Sequence, residues 1–313
     1  MRATLIHNPN AGGANSLDST QLLLALKSAG YEAWFSPTET PEELDPVLAH
    51  PTDLVVAAGG DGTVRAVAAR LAGGRTPMAV VPMGTANNVA GALGIFGLPP
   101  QKILEGLAKP RKVWLDVGRV QTPWGEDLFL EAAGWGIFAS TLHTYDPEGE
   151  KSILRGLQAG LQTVSGFQAQ PLRMWCDGEA LEEPLLLLEV MNTPALSHRV
   201  RLAPGADPTD GLLDVVTVSD TARVSVIGYL TSLLQERLEE LPNVSVRRCQ
   251  HIRLEWDGTP FHLDAEVHHQ DGPGEIEIEV WPKALEVWLP AAEPKDPPPQ
   301  ASQPNANSPE KGS

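Results

Sequence analysis

The sequence predicts an N-terminal α/β domain, a parallel sheet with helices on both faces, followed by a mostly antiparallel β domain, with a cleft between the two. Three observations carry this. Strand and helix signals alternate through the first third of the chain, turn-bounded strands fill most of the rest, and 313 residues that are 42% apolar suffice for two modest cores. The boundaries fall at 1–115 for the α/β half and 116–290 for the β-rich half, whose last strands are free to return to the first. Residues 291–313, rich in Pro, Gln, Ser and Asn without periodicity, predict a disordered tail.

Taken in order, Ala3 to His7 is a short apolar strand, and Ser16 to Ala29 carries leucines at helical spacing with Gly30 as a stop. Glu32 to Phe35 is a second strand, followed by a helix that Pro41 starts. Asp53 to Ala58 is a buried strand opening onto a glycine-rich loop, with its helix over Thr63 to Leu71. Met78 to Val81 and Ala86 to Leu93 form one more strand and helix. Repeated units of this size imply parallel strands covered on both faces. After Lys112 the pattern changes to strands at Val113–Val120, Leu128–Ala133, Leu172–Cys176, Leu185–Met191, Leu213–Val218, Val244–Leu254 and Gly274–Trp281. An amphipathic helix is expected from about Arg223 to Leu241. Asp177-Gly178-Glu179 is expected to be a hairpin turn.

The net charge of -17 argues against a nucleic-acid partner. Cys176 and Cys249 stand far apart in no metal-ligand spacing, so a reducing compartment and no disulfide are expected. The N-terminus lacks a signal-peptide core. The most apolar run, Leu185 to Val190, is much shorter than the ~20 residues that cross a bilayer. A cytoplasmic protein without a transmembrane segment follows. His262, His268 and His269 are expected at a solvent-facing strand end, and Arg199, Arg201, Arg247, Arg248 and Arg253 in surface pairs with carboxylates.

Chemistry concentrates in the loops. Gly59-Gly60-Asp61-Gly62-Thr63 joins a strand to a helix. Its glycines admit a close ligand, the helix start offers free N–H groups, Asp61 can meet a metal–phosphate complex, and Thr63 can cap the helix. Asn8-Pro9-Asn10-Ala11-Gly12-Gly13 and Gly84-Thr85-Ala86-Asn87-Asn88 follow two other strands. Three small polar loops therefore meet at the carboxyl ends of the sheet, where such sheets bind ligands.

These three segments, with Asp116-Val-Gly, Ala133-Gly-Trp-Gly-Ile-Phe138 and Asp210-Gly-Leu-Leu-Asp214 in the same order, resemble the bacterial lipid kinases related to diacylglycerol and sphingosine kinases. The resemblance implies an ATP site lined by Asn8, Asn10, Gly12, Gly13, Thr38, Gly59 to Thr63, Gly84, Thr85 and Asn88, with Asp61 facing the catalytic Mg²⁺. It implies a second, structural Mg²⁺ at main-chain oxygens of Asp207 and Leu212 with Asp210. The family's late Asp-Gly-Glu is matched by Asp264-Ala265-Glu266, making Glu266 the expected general base and Asp264 its neighbour. The implied acceptor is a lipid hydroxyl at a membrane surface, diacylglycerol or a related alcohol. A soluble acceptor, as for NAD kinases, and a non-catalytic nucleotide or lipid sensor are the alternatives. A homodimer is left open. Two positions depart from the family: Asn88 stands where aspartate is usual, and Ala265 replaces a glycine whose position is costly to alanine if it needs a positive φ.

Overall fold

A capping box starts the first helix of the computed structural model, which describes residues 1–7, 17–38, 40–144, 169–196, 200–219, 232 and 235–291. The Asp18 carboxylate accepts the Gln21 N–H at 2.8 Å and the Gln21 amide oxygen accepts the Asp18 N–H at 3.2 Å. Helix α1 (Ser19–Ser28) then buries Leu22, Ala25 and Leu26 on the sheet and stops at Gly30, whose φ is +92°. Strands β1 (Arg2–His7), β2 (Glu32–Pro37), β3 (Leu54–Gly59) and β4 (Met78–Pro82) run parallel in the order β2-β1-β3-β4. Between them come α2 (Leu44–Leu48), reached through a 3₁₀ turn at Pro41–Glu43, α3 (Asp61–Leu71), α4 (Asn88–Ala92) and α5 (Pro100–Gly106). Strands β1, β3 and β4 are buried along almost their whole length, as parallel strands between two helix layers must be, while β2 at the sheet edge is only partly covered.

The β-rich half is antiparallel, as the turn spacing predicts. It holds β5 (Arg111–Thr122), β6 (Gly125–Phe129), β7 (Ala132–Gly136), β8 (Gln170–Cys176), β9 (Glu179–Met191), β10 (Leu213–Ser219), β11 (Val244–Cys249), β12 (His251–Trp256), β13 (Phe261–Leu263), β14 (Glu266–His268) and β15 (Gly274–Leu289), with α6 (Ile137–Thr144) after β7. Asp177 and Gly178, both at positive φ, make the expected hairpin turn between β8 and β9. The Asp177 carboxylate also accepts the N–H groups of Gln250 and His251.

Strand β15 links the halves. Its first part pairs with β12, and Val287 near its end pairs with Met78 of β4. Strand β5 runs antiparallel beside it on both sides of an irregularity between Trp281 and Leu285, where Lys283 has φ +53°. Leu285, Val287 and Leu289 accordingly pack into the core of the α/β half, while Ile276 and Ile278 pack with Trp256, Phe129 and Phe261. A third cluster forms around Phe138, Met191, Leu196 and Val216.

Several expectations are corrected. The run Leu128 to Ala133 is broken into β6 and β7 at Leu130 and Glu131, and Val244 to Leu254 into β11 and β12 at Gln250. Cys176 and Cys249 form a disulfide, because strand pairing brings together residues 73 apart in sequence. The expected helix ending at Leu241 has stopped before Glu236, which sits at φ +56° ahead of a 3₁₀ turn at Leu238–Glu240. Most of that helix, and residues 292–313, lie outside the described residues. Among the described residues no helix is long and apolar enough to cross a membrane.

Candidate active site

The two described glycine loops touch. A Cβ on Gly84 would sit 2.6 Å from the Gly60 Cα, so only glycine lets the backbones meet. Gly60 is the extended N-cap of α3, and no side chain caps that helix. Thr63, expected as a cap, does not act as one, and the N–H groups of the first turn stay available to an anion. Asn87, at φ +50°, closes the second loop: its amide oxygen accepts the Gly84 N–H at 2.9 Å and its amide donates to the Gly84 carbonyl at 2.6 Å. Thr85 is exposed on that loop and Thr38 is buried just beyond β2. Asn8, Asn10, Gly12 and Gly13 lie outside the described residues.

Asp61, in the first turn of α3, reaches the start of α4. Its carboxylate accepts the Val89 N–H at 3.4 Å. Burial pushes this carboxyl above its usual range, while N–H groups of Asn88, Val89 and Asn87 and the Glu131 side chain pull the other way.

The β-rich half supplies the facing wall. Asp264, at φ +52°, sits in the turn between β13 and β14 and accepts the N–H groups of Leu130, Glu131 and Ala132 at 3.1, 2.8 and 3.1 Å. Its own N–H donates to the Ala132 carbonyl at 2.7 Å. This clamp holds the break between β6 and β7 and spends most of the Asp264 carboxylate. The positive φ expected at position 265 falls on Asp264 instead, so Ala265 carries no such cost. Arg65, from α3, completes the wall: it pairs with Glu266 at 2.7 Å, Asp127 at 3.0 Å and Asp264 at 3.4 Å. Glu266 is otherwise exposed, its side chain 61% accessible.

Glu131 escapes the sequence reading. At the strand break it accepts the Asn88 amide at 2.6 Å, and that amide also donates to the Leu196 carbonyl at 2.9 Å. Burial, then the charges of Asp61 and Asp264, raise the Glu131 carboxyl well above its ordinary value. The signal that could have found it is a carboxylate inside the apolar run from Leu128 to Ala133.

His262 is fully buried, not solvent-facing. Its Nδ1 lies 2.8 Å from the Asp264 carbonyl, which only accepts, so Nδ1 carries a proton. Nε2 lies 2.8 Å from Glu189 Oε2. Burial works against a charged ring, but the Glu189 carboxylate together with the Asp264 carbonyl and charge raises His262. Gly134 makes room for this pair, since a Cβ there would fall 2.1 Å from a Glu189 oxygen. His268, Asp127 and Glu266 bring their donor atoms within 4.8 Å of one another, a grouping that linear spacing did not reveal.

Asp61, Asn88, Glu131, Asp264 and Glu266 line a cavity of about 120 Å³ together with the apolar Phe138, Leu142 and Leu196. Four carboxyl groups thus meet one guanidinium, and the buried Asn88 amide oxygen has no partner among the described residues. Hard oxygen donors in excess of positive charge fit a divalent cation such as Mg²⁺. A second hollow of about 270 Å³ is crossed by ion pairs of Arg119 with Glu126 and Glu279 and holds none of these groups.

The second expected ion fits less well. Asp210 pairs with Arg248 and accepts the Leu212 N–H, and the Asp207 carbonyl accepts the Asp210 N–H at 3.4 Å. Asp116 holds this loop directly, accepting the N–H groups of Gly211 and Lys283, each at 2.7 Å. Arg201, Arg247 and Arg253 pair with Glu236, Glu179 and Glu275, as expected for surface arginines, and Arg199 lies outside the described residues.

Residues 2–120 match the family described as "Diacylglycerol kinase catalytic domain", and residues 146–289 the "YegS C-terminal NAD kinase beta sandwich-like domain". A Pseudomonas putida protein named "Probable lipid kinase YegS-like" is 32% identical over 249 residues, covering 77% of this chain and 78% of its own. A Mycobacterium tuberculosis protein named "Diacylglycerol kinase" is 28% identical over 250 residues, covering 78% and 79%. The crystal structure of a diacylglycerol kinase from Bacillus anthracis str. Sterne superposes with a TM-score of 0.65 at 19% identity, covering 91% of this chain and 96% of that one, a likeness of fold. Sequence and fold together place the chain in the diacylglycerol kinase catalytic domain and YegS-like family of bacterial lipid kinases.

Proposed function

We propose that the chain transfers the terminal phosphate of ATP to a lipid hydroxyl, that of diacylglycerol or a related lipid alcohol. The observation that carries this reading is the cavity in which carboxylates from both halves meet beside a helix N-terminus, against an apolar wall. The ATP phosphates rest on the N–H groups at the start of α3 and on the Gly59 to Thr63 and Gly84–Thr85 loops, with Asn8, Asn10, Gly12, Gly13 and Thr38 completing the site. Asp61 and the neighbouring oxygens would hold Mg²⁺, which would supply positive charge against that of the phosphates. Glu266 accepts the proton of the acceptor hydroxyl, and Arg65 orients it from 2.7 Å away. Asp264 holds the strand break in place and so sets where both acids stand. Phe138, Leu142 and Leu196 exclude water and take the apolar body of the substrate. Asp207, Asp210 and Leu212 offer a second cation site only once Arg248 releases Asp210.

A radiolabelled ATP assay with Mg²⁺ and mixed micelles of diacylglycerol, ceramide, sphingosine and phosphatidylglycerol tests this. Label is expected in the organic phase, and Asp61→Ala is expected to lower it by about 100-fold or more. Label confined to the aqueous phase would replace the lipid with a soluble acceptor. ATP binding without transfer would leave a sensor.

A further inference from the structure

We propose that His262 and Glu189 are a buried positioning pair that sets the turn carrying Glu266, acting through the Asp264 carbonyl. This rests on the kinase reading above and concerns how that site is held in shape.

Three neighbouring strands bring the pair together. In the sheet order β13-β7-β9, Gly134 lies opposite His262 on one side and opposite Glu189 on the other. Directly opposed residues share a face of the sheet, and glycine contributes no side chain, so the imidazole and the carboxylate meet over Gly134. Nε2 then lies 2.8 Å from Glu189 Oε2, and both side chains are fully buried. Two apolar residues would fill this space without taking an acid and a base out of water. What they could not supply is the bond made by the other ring nitrogen.

That bond ends on the active turn. Leu263 and Glu266 are the last paired residues of β13 and β14, which leaves Asp264 and Ala265 as the link between them. The Asp264 carbonyl therefore lies outside the ladder, and His262 Nδ1 donates to it at 2.8 Å. The carboxylate of Asp264 is taken up by the N–H groups of Leu130, Glu131 and Ala132, and its N–H by the Ala132 carbonyl. His262 thus grips the one backbone group of Asp264 that this clamp leaves free. The direction of that carbonyl fixes the peptide plane between Asp264 and Ala265, and with it the path on which the chain brings Glu266 to Arg65. Glu189 keeps Nδ1 a donor: one proton lies between Nε2 and Oε2 whichever atom holds it, so the Nδ1 proton is not called away. The ring also meets Phe138, with centroids 5.0 Å apart, and Phe138 lines the active cavity together with Ala265 and Glu266.

The experiment separates the two ring nitrogens. A glutamine amide reaches the place of Nε2 and an asparagine amide that of Nδ1. His262→Gln therefore keeps the contact with Glu189 and loses the bond to Asp264. His262→Asn combined with Glu189→Gln keeps the bond to Asp264 and leaves no unpaired acid. Both are compared with the unaltered protein and with Glu189→Gln for kcat and KM, using ATP, Mg²⁺ and the lipid that takes label in the mixed micelles. Thermal melts check folding, and hydrogen exchange in peptides spanning residues 130–132 and 264–266 reports on the turn without turnover. His262→Gln is expected to lower kcat by about tenfold or more, with the KM for ATP changed by less than about twofold, and to speed exchange in both peptides. The double variant is expected to stay within about threefold of Glu189→Gln in kcat and to exchange at its rate. Equal kcat in the two variants would overturn the proposal, as would a loss in His262→Gln matched by a rise in the KM for ATP. If one of them melts early, the other decides alone: full kcat in His262→Gln, or a loss of about tenfold in the double variant, sinks the idea. Absence of transfer to any of the micelle lipids by the unaltered protein would defeat the kinase reading. Exchange in the turn would still judge the pair, and unchanged rates in His262→Gln would count against it.

Discussion

At the scale of single residues, the turn Asp264-Ala265-Glu266 divides its labour unevenly. Asp264 takes the positive φ and three backbone N–H groups, whereas Ala265 adopts ordinary backbone. Ala265→Gly is therefore expected to change stability by no more than about 1 kcal/mol. Asp264→Ala is expected to cost about 3 kcal/mol or more, since it strands the backbone N–H groups of Leu130, Glu131 and Ala132 and leaves Arg65 with two of its three carboxylate partners. Denaturant midpoints for the two variants check this, and equal losses would mean that the clamp is not what holds the turn. Gly134 gives a sharper case. Gly134→Ala drives a methyl into the Glu189 carboxylate and should cost about 1–3 kcal/mol. The same change made in a Glu189→Ala background should cost distinctly less, because the space is then free. A double-mutant cycle reads the difference.

Among the elements, the repeating strand–helix units were legible because each has its own period and its own stop, such as Gly30 after α1. The two glycine loops were legible for the same reason, lying where one period changes to the other. The breaks inside β-rich segments were not. Leu128 to Ala133 is apolar enough to read as one strand, and only the turn that carries Asp264, more than a hundred residues later, opens it at Glu131. Likewise Pro282 and Lys283 read as the end of a strand, but the neighbouring β5 continues past them and β15 goes on to Leu289. His262 looked exposed because its partner Glu189 lies on a different strand. The disulfide between the ends of β8 and β11 was hidden by the same long-range pairing. Its loop of 73 residues predicts a loss of about 2–4 kcal/mol on reduction. Unfolding curves with and without reductant test that, and a Cys176→Ser variant should show no effect of reductant.

For the molecule as a whole, a net charge of -17 bears on how it would meet the lipid surface that the proposed reaction requires. Self-repulsion keeps it soluble, and like charge on a lipid surface opposes its approach. Co-sedimentation at low salt should recover less protein with vesicles rich in anionic lipid than with zwitterionic ones. The gap should narrow near 0.15 M salt, where charges are screened beyond about 8 Å, and narrow further with Mg²⁺. Stronger binding to anionic vesicles at low salt would point to a local basic face that outweighs the total.

Strand β15 has a further consequence for how the protein is made. The α/β half is synthesised first, yet Leu285, Val287 and Leu289, which complete its core, come from a strand that ends at residue 289. A chain still on the ribosome before that point holds an open sheet edge at β4 and an unfilled hollow beneath it. The α/β segment must wait for β15, so folding closes as a ring rather than proceeding along the chain. A nascent chain halted short of Gly274 should accordingly be far more open to protease than one released whole.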